Sequence, residues 1–488
     1  MKKCIFTFLF FCVSIFQLAA QYTTPNTGVD WTLDDIAIAS PTTITISGST
    51  YTLLENITVS VNDILRIPTN LTLQIEAGLR ITVFGSFLVE ANATTITAVN
   101  QANPYDGFRF EEFSVINIQN ATIEYGGGLQ VLTEDFILNN SILQFNIAGV
   151  ATGGVVAFSR GIPEITNNQF LFNATPAISS AANTQVSAYI FNNYLEGNNQ
   201  TNNNRPQINM GATRTLDTLK IIQNTIIGDR TKEQVGGIAV ANLVGGALRV
   251  IIEDNIIKDN RYGMTIVGPN AFGRIKNNII EDNNTQNNPN LGGSGINLNA
   301  PTGGQEIVAS GNKIRRNLWG VTLQGQSNAN FGDDQDNPGL NVFSENGNSG
   351  EIFALYNNTF NVLSAKNNCW VEGGEGTLAE AETVIFHQVD DPSLGEVIFD
   401  PINCEILGLD EITLENFVFY PNPATNSITF DNVNSFEKLE IFGMQGNVIS
   451  SQKIVSGTNR ISLSLPSGIY FTRFSNEKSQ VIKKLLVK

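Results

Sequence analysis

One short phrase recurs through the middle of this chain: an asparagine followed two residues later by an apolar side chain. It starts at Asn140, Asn168, Asn193, Asn224, Asn255, Asn278, Asn312, Asn341 and Asn368, at intervals of 23 to 34 residues. An apolar residue or Ala stands three positions before most copies (Ile137, Ile165, Ile190, Ile221, Ile252, Ile275, Ala309). A second Asn or Asp stands five after them (Asn173, Asn198, Asp229, Asn260, Asn283, Asn317, Asn346), and Gly263 and Gly320 follow three later still. One further copy, Asn358 in "NNTF", is out of phase. A period of about 28 residues over nine copies marks a stacked array of similar units, and the spacing within each copy is too short for a useful amphipathic helix.

The units read as strands. Runs such as "TITISG", "NLTLQIEAG" and "FSVINIQNATIEYGGG" are β-branched, alternate in polarity and stop at Gly or Asn. Charged residues make up only 15% of the chain, against about a quarter in an average globular protein. Several strands per repeat of this length predict an all-β solenoid whose coils stack about 4.8 Å apart. Apolar residues three before and two after each asparagine can face one core only if the strand turns between them. Asn tolerates the left-handed backbone of such a corner. Stacked on its counterparts, its amide both donates and accepts, so the expectation is a structural asparagine ladder. With these features, residues from about 50 to 405 resemble the right-handed parallel β-helix proteins of the pectin-lyase-like class, and the resemblance implies loops at the corners and carbohydrate along one side.

The ends carry different signals. "MKKCIFTFLFFCVSIFQLAAQ" pairs Lys2 and Lys3 with an apolar run and closes on Ala19 and Ala20, so residues 1–20 read as a secretory signal. No later stretch approaches the roughly 20 apolar residues of a membrane span. Cleavage there removes Cys4 and Cys12 and leaves Cys369 and Cys404, two cysteines in an oxidising compartment, which suggests a bridge. They bracket residues 369–404, which resemble the closing segment of bacterial β-helix proteins, an Asn-Asn-x-Trp rung followed by a capping strand. Val371 stands where that pattern usually has Gly.

From Asp410 the texture changes to cleanly alternating strands with turns at Pro421-Asn422-Pro423, Gly446-Asn447 and Ser467-Gly468, which predict a small β-sandwich. The resulting organisation is a signal (1–20), a β-helix with its cap and closing segment (21–409) and a tail domain (410–488). The tail resembles the type A C-terminal sorting domain of the type IX secretion system of Bacteroidetes. The matching residues are Pro421, Asn422, Pro423, Ala424, Gly446, Gly468, Ile469, Tyr470 and the basic strand with Lys483, Lys484 and Lys488; Gly443 departs where Asp is expected. The resemblance implies secretion or outer-surface display by way of the periplasm, with the type IX machinery as partner.

The full chain has 28 basic and 45 acidic residues, net −17. The tail from Asp410 has eight basic and seven acidic residues, so residues 21–409 hold 18 against 38. Such a surface repels nucleic acid and polyanionic glycans. His387 alone excludes multi-histidine metal sites, and its place in "VIFHQVDD" suits packing. The only dense acidic loop, "NFGDDQDNPG", offers Asp333, Asp334 and Asp336 as Ca²⁺ ligands, or a solvated turn. No cofactor is otherwise implied. A glycosidase needs two carboxyls about 5 to 10 Å apart. A lyase needs a base, for which Arg261, Arg274, Lys276, Arg315 and Arg316 are available near repeat corners with nothing to single one out. Three long loops, starting at Glu196, Asn283 and Gly325, are expected along one side, rich in amides and with Phe331 as their aromatic. The composition favours a non-catalytic, adhesin-like protein contacting extracellular polysaccharide or a surface partner; the alternative is a polysaccharide lyase or glycoside hydrolase on the same scaffold.

Overall fold

The computed structural model describes residues 21–404, 419–430, 436–443, 448–454, 460–476 and 480–488. Two compact units divide between Cys404 and Glu405. The proposed signal, Gly446 and the chain between the units lie outside the described residues.

The first unit is a parallel β-helix. Each coil contributes one strand to sheet A, one to sheet B and one to sheet C, and the sheets hold 14, 14 and 13 strands. Burial alternates along the strands, as in Leu71–Ile75, where every second residue is buried. Consecutive coils therefore stack like on like. In sheet B, Ile221, Ile252, Ile275 and Ala309 form one inward column. In sheet C, Phe170, Leu195, Ile226, Ile257, Ile280, Ile314 and Phe343 form another. These are the positions three before and two after the asparagines, all buried, and each large side chain so placed contributes about 1.5–3 kcal/mol. At the start of the unit a helix, Leu33–Ala39, capped by Thr32 and Asp35, and an antiparallel hairpin of Ile44–Ser47 with Thr50–Leu53 cover the first coil.

The asparagines form the ladder at the corner from sheet B to sheet C. From Asn193 to Asn368, each amide oxygen accepts both the backbone N–H and the side-chain N–H of the asparagine one coil earlier, at 2.8–3.1 Å. A second column runs at the corner from sheet C to sheet A, through Asn146, Asn173, Asn198, Asn260, Asn283, Asn317 and Asn346.

Three expectations change. The ladder asparagines are not the left-handed residues; the residue immediately before each one is, as at Asn167, Asn192, Gln223, Asp254, Asn277, Leu340 and Asn367. The corner thus divides its labour: one residue turns the chain and the next pairs. Asn140 is itself a left-handed residue (φ 50), and Ser141 occupies its ladder position, receiving the Asn168 amide as acceptor of its N–H. The first copy was therefore out of register by one, which is why Ile137 is 38% exposed and Leu138 buried. Asp229 does not join the second column, because a carboxylate cannot donate. Gln207 fills the gap, accepting from Asn198 Nδ2 at 3.0 Å and donating to Asn260 Oδ1 at 3.0 Å. The out-of-phase Asn358 belongs to a sheet A strand, Leu355–Asn358.

Replacing Asn255 by Leu strands the Asn224 donors and the carbonyl of Ile221, which accepts from Asn255 Nδ2 at 2.8 Å. The expected cost is about 1–3 kcal/mol, against less than about 0.5 kcal/mol for Asn290→Leu on the exposed loop. Comparison of the two melting curves checks the ladder, and equal shifts would contradict it.

The second unit has its own core, including Phe430, Phe436, Leu439 and Phe474. It comprises a three-stranded sheet (Phe419–Tyr420, Ser427–Phe430, Arg460–Ser462) and a four-stranded antiparallel sheet (Lys438–Phe442, Val448–Lys453, Gly468–Ser475, Gln480–Val487).

Candidate functional site

A cleft of about 640 Å³ opens on the outer face of sheet A. Its floor is polar. Thr265, Asn297 and Thr322 stack on successive coils, with Asn297 Nδ2 donating to Thr265 Oγ1 at 2.7 Å and Thr322 Oγ1 donating to Asn297 Oδ1 at 2.9 Å. Ser294 and Thr322 hydroxyls lie 2.9 Å apart. Its walls are aromatic. The register that pairs Met264 with Ile296 and Ser294 with Trp319 places Tyr262, Ser294 and Trp319 in one column. The small Ser294 thus leaves a slot between two rings. Trp319 is held by its indole N–H on the Pro289 carbonyl (3.1 Å) and stacks on Tyr356 with centroids 5.5 Å apart.

The glycines that follow these rings explain the +8 position. A Cβ at Gly263 would lie 2.4 Å from the Gly295 carbonyl oxygen, and one at Gly320 would lie 2.2 Å from that of Ala354. Only glycine admits the next coil so closely.

Two of the three long loops close over the cleft. Arg261 joins them, donating from Nη1 to Asn204 Oδ1 in the first and from Nη2 to the Leu291 carbonyl in the second. The third loop does not share this side, because it leaves after a sheet B strand, Ala329–Gly332, and borders a separate hollow with Glu306, Asn330 and Ser364. Phe331 is fully buried in the core and offers no ring to a ligand.

The acidic loop is built as a turn, the second of the two readings its sequence allows. Asp333 Oδ1 accepts three backbone N–H groups, from Gln335, Asp336 and Asn337, each at 2.9 Å. These bonds and the Asn330 amide hold its carboxyl down to about 2. Asp334 is paired with Lys366. The loop's own donors therefore occupy the Asp333 carboxylate, and no cluster of three His, Cys, Asp or Glu suited to a metal forms among the described residues.

The basic residues separate just as clearly. Arg274 pairs with Glu253 on sheet B, Arg315 with Glu281 and Glu372, and Arg316 with Asp282. His387 is buried, its Nδ1 accepting from Val397 N–H at 2.9 Å and its Nε2 lying 3.1 Å from Glu382, so it locks the closing segment. No Asp, Glu, His, Lys or Cys lines the cleft. Its phenols are Tyr262 and Tyr356, and burial pushes the Tyr262 hydroxyl up to about 12 despite the neighbouring Arg261. A phenol so placed is a poor base near neutral pH.

The sequence offers Arg261 only as one basic residue among five and does not single out the aromatic walls. The signal was present: Tyr262 and Trp319 each stand seven residues after a ladder asparagine and directly before the column glycine.

In the second unit the Pro421-Asn422-Pro423-Ala424 phrase grips the terminal strand. Asn422 donates to the Lys484 carbonyl and accepts from Leu486 N–H, both at 2.8 Å, and buried Ala424 exchanges backbone bonds with Leu486 and Lys488. Tyr470 closes the turn before its strand by donating to the Pro466 carbonyl at 2.9 Å. Thr472 Oγ1 donates to the carbonyl of Lys483, while the Gly468–Ser475 strand pairs along its length with the basic strand. Residues 418–488 match the family described as the secretion system C-terminal sorting domain. The tail is a sorting domain. With it the protein is one exported to the cell surface or the medium by the type IX system. No helix among the described residues is long and apolar enough to cross a membrane.

Among solved structures the chain is similar to a mutant form of the periplasmic alginate epimerase AlgG, at 13% identity and a TM-score of 0.41, over 77% of this chain and 83% of that one. No curated protein matches the chain.

Proposed function

We propose that the exported protein is a non-catalytic, glycan-contacting scaffold that holds a saccharide in the sheet A cleft without turning it over. In this reading residues 1–20 are removed as a signal peptide, the β-helix presents the cleft and the sorting domain supplies the route. The observation that carries it is the lining: hydroxyl and amide groups on the floor, with Tyr262, Trp319 and Tyr356 as walls. Sugars combine a hydroxyl rim with apolar C–H faces, and such a site meets both demands. The same lining lacks the paired carboxyls of a glycosidase, and burial pushes the Tyr262 hydroxyl away from neutrality.

The test is a saccharide panel against purified mature protein, with binding read from Trp319 fluorescence and turnover from reducing or unsaturated ends, with and without Ca²⁺. The expected result is binding weakened about tenfold by Tyr356→Ala, given the worth of one aromatic contact, with no product released. Reproducible product that disappears in Tyr262→Phe would instead establish a lyase or hydrolase.

A further inference from the structure

Arg261 is 8% exposed, yet it makes no ion pair with any described residue. Its two hydrogen-bond acceptors, the Asn204 amide and the Leu291 carbonyl, are neutral, and its Nε–H has no partner among the described residues. A buried arginine normally meets a carboxylate, because an uncompensated guanidinium is costly to desolvate. Carboxylates are plentiful in this chain, which carries 45 acidic residues against 28 basic ones. The other corner arginines, Arg315 and Arg316, each have theirs. None lines the cleft. The one cation of the cleft is therefore buried, rigidly clipped between two loops and left without its counter-charge beside Tyr262 and the polar floor.

We infer that Arg261 is the docking point for a single anionic substituent, a carboxylate or a sulfate ester, on an otherwise neutral saccharide. This rests on the saccharide reading of the cleft and specifies its ligand. A polyanion does not fit the same facts. Among the described residues the walls offer one cation only, and the net charge of −17 on the chain disfavours a densely charged strand. An end residue or a sparse acidic branch places one charge on the guanidinium and leaves neutral rings for Trp319 and the hydroxyl floor. The planar fork of arginine matches either oxyanion through paired N–H donors.

The probes are a neutral oligosaccharide, the same oligosaccharide ending in a uronic acid, its singly sulfated counterpart and a polyuronate, each titrated by calorimetry into the full mature protein. The expected result is binding of one singly charged probe about tenfold tighter than the neutral parent, as suits a charge-assisted hydrogen bond. The acid and sulfate arms decide which oxyanion is preferred, and the polyuronate binds more weakly than the better of them. Arg261→Gln keeps a donor for the loop clip. It should erase the preference for the charged probe over its neutral parent, whereas Arg261→Lys should retain part of it. Equal affinities for neutral and charged probes, or a preference unchanged in Arg261→Gln, would overturn the assignment of Arg261 and leave the saccharide reading intact. Tightest binding by the polyuronate would overturn the single-charge assignment. Failure of every probe to bind would overturn both.

Discussion

A chain ending before residue 418 is expected to accumulate, folded, in the periplasm and to disappear from the cell surface and medium. The two units have separate cores, one running from Leu33 to Val397 and the other built around Phe430, Leu439 and Phe474. Each unit thus has a core of its own. What the truncation removes is the part that matches the sorting family. Fractionation with an antibody to the β-helix, together with circular dichroism of the truncated protein, checks both halves of the expectation. Normal surface or medium levels of the truncated form would contradict the sorting role. An unfolded truncated product would contradict the independence of the cores.

Loss of the Cys369–Cys404 bond should be the largest single stability effect in the β-helix. The two cysteines are bonded, with Cα atoms 4.5 Å apart and a sequence separation of 35. Cys369 extends sheet C beyond its last strand, pairing with Val342, while Trp370 stacks on Phe343 at 4.8 Å. The bridge thus ties the closing segment across the open end of the core, where an uncovered coil would expose a row of unpaired backbone groups. A loop of this size corresponds to about 3–4 kcal/mol in the chain-entropy model. The Cys369→Ser, Cys404→Ser double variant should melt earlier, with hydrogen exchange rising first in residues 369–404. Unchanged exchange there, or free thiols in exported protein by non-reducing peptide mapping, would contradict the clasp.

Periodicity made the β-helix legible in the sequence because each coil must repeat the same inward and outward choices as its neighbours. Ile252, Asn255 and Ile257 are readable as core, ladder and core without any knowledge of a third dimension. The same logic failed by one residue at Asn140, where two adjacent asparagines compete for the anchor and the ladder position is filled by Ser141. It failed again at Asp229, because the replacement donor, Gln207, arrives from the far side of a loop insertion that no fixed spacing reveals. The acidic loop left two readings open. Three aspartates close in sequence suggest a shared ion, but backbone N–H groups had already claimed Asp333.

By itself, the sequence determined the architecture, the capped end and the export tail, since each is written in local patterns: a repeat that stacks like on like, a pair of cysteines around a closing phrase, and strands ending in the basic segment. Only the tertiary structure decided the cleft. Tyr262, Trp319 and Tyr356 become one wall because stacking brings positions from different coils within a ring's reach, and Arg261 stands apart from the other arginines because of the partners it lacks. The physical reason is that pairing along a strand is periodic and can be read from spacing, while compensation of a charge depends on which loops fold over it.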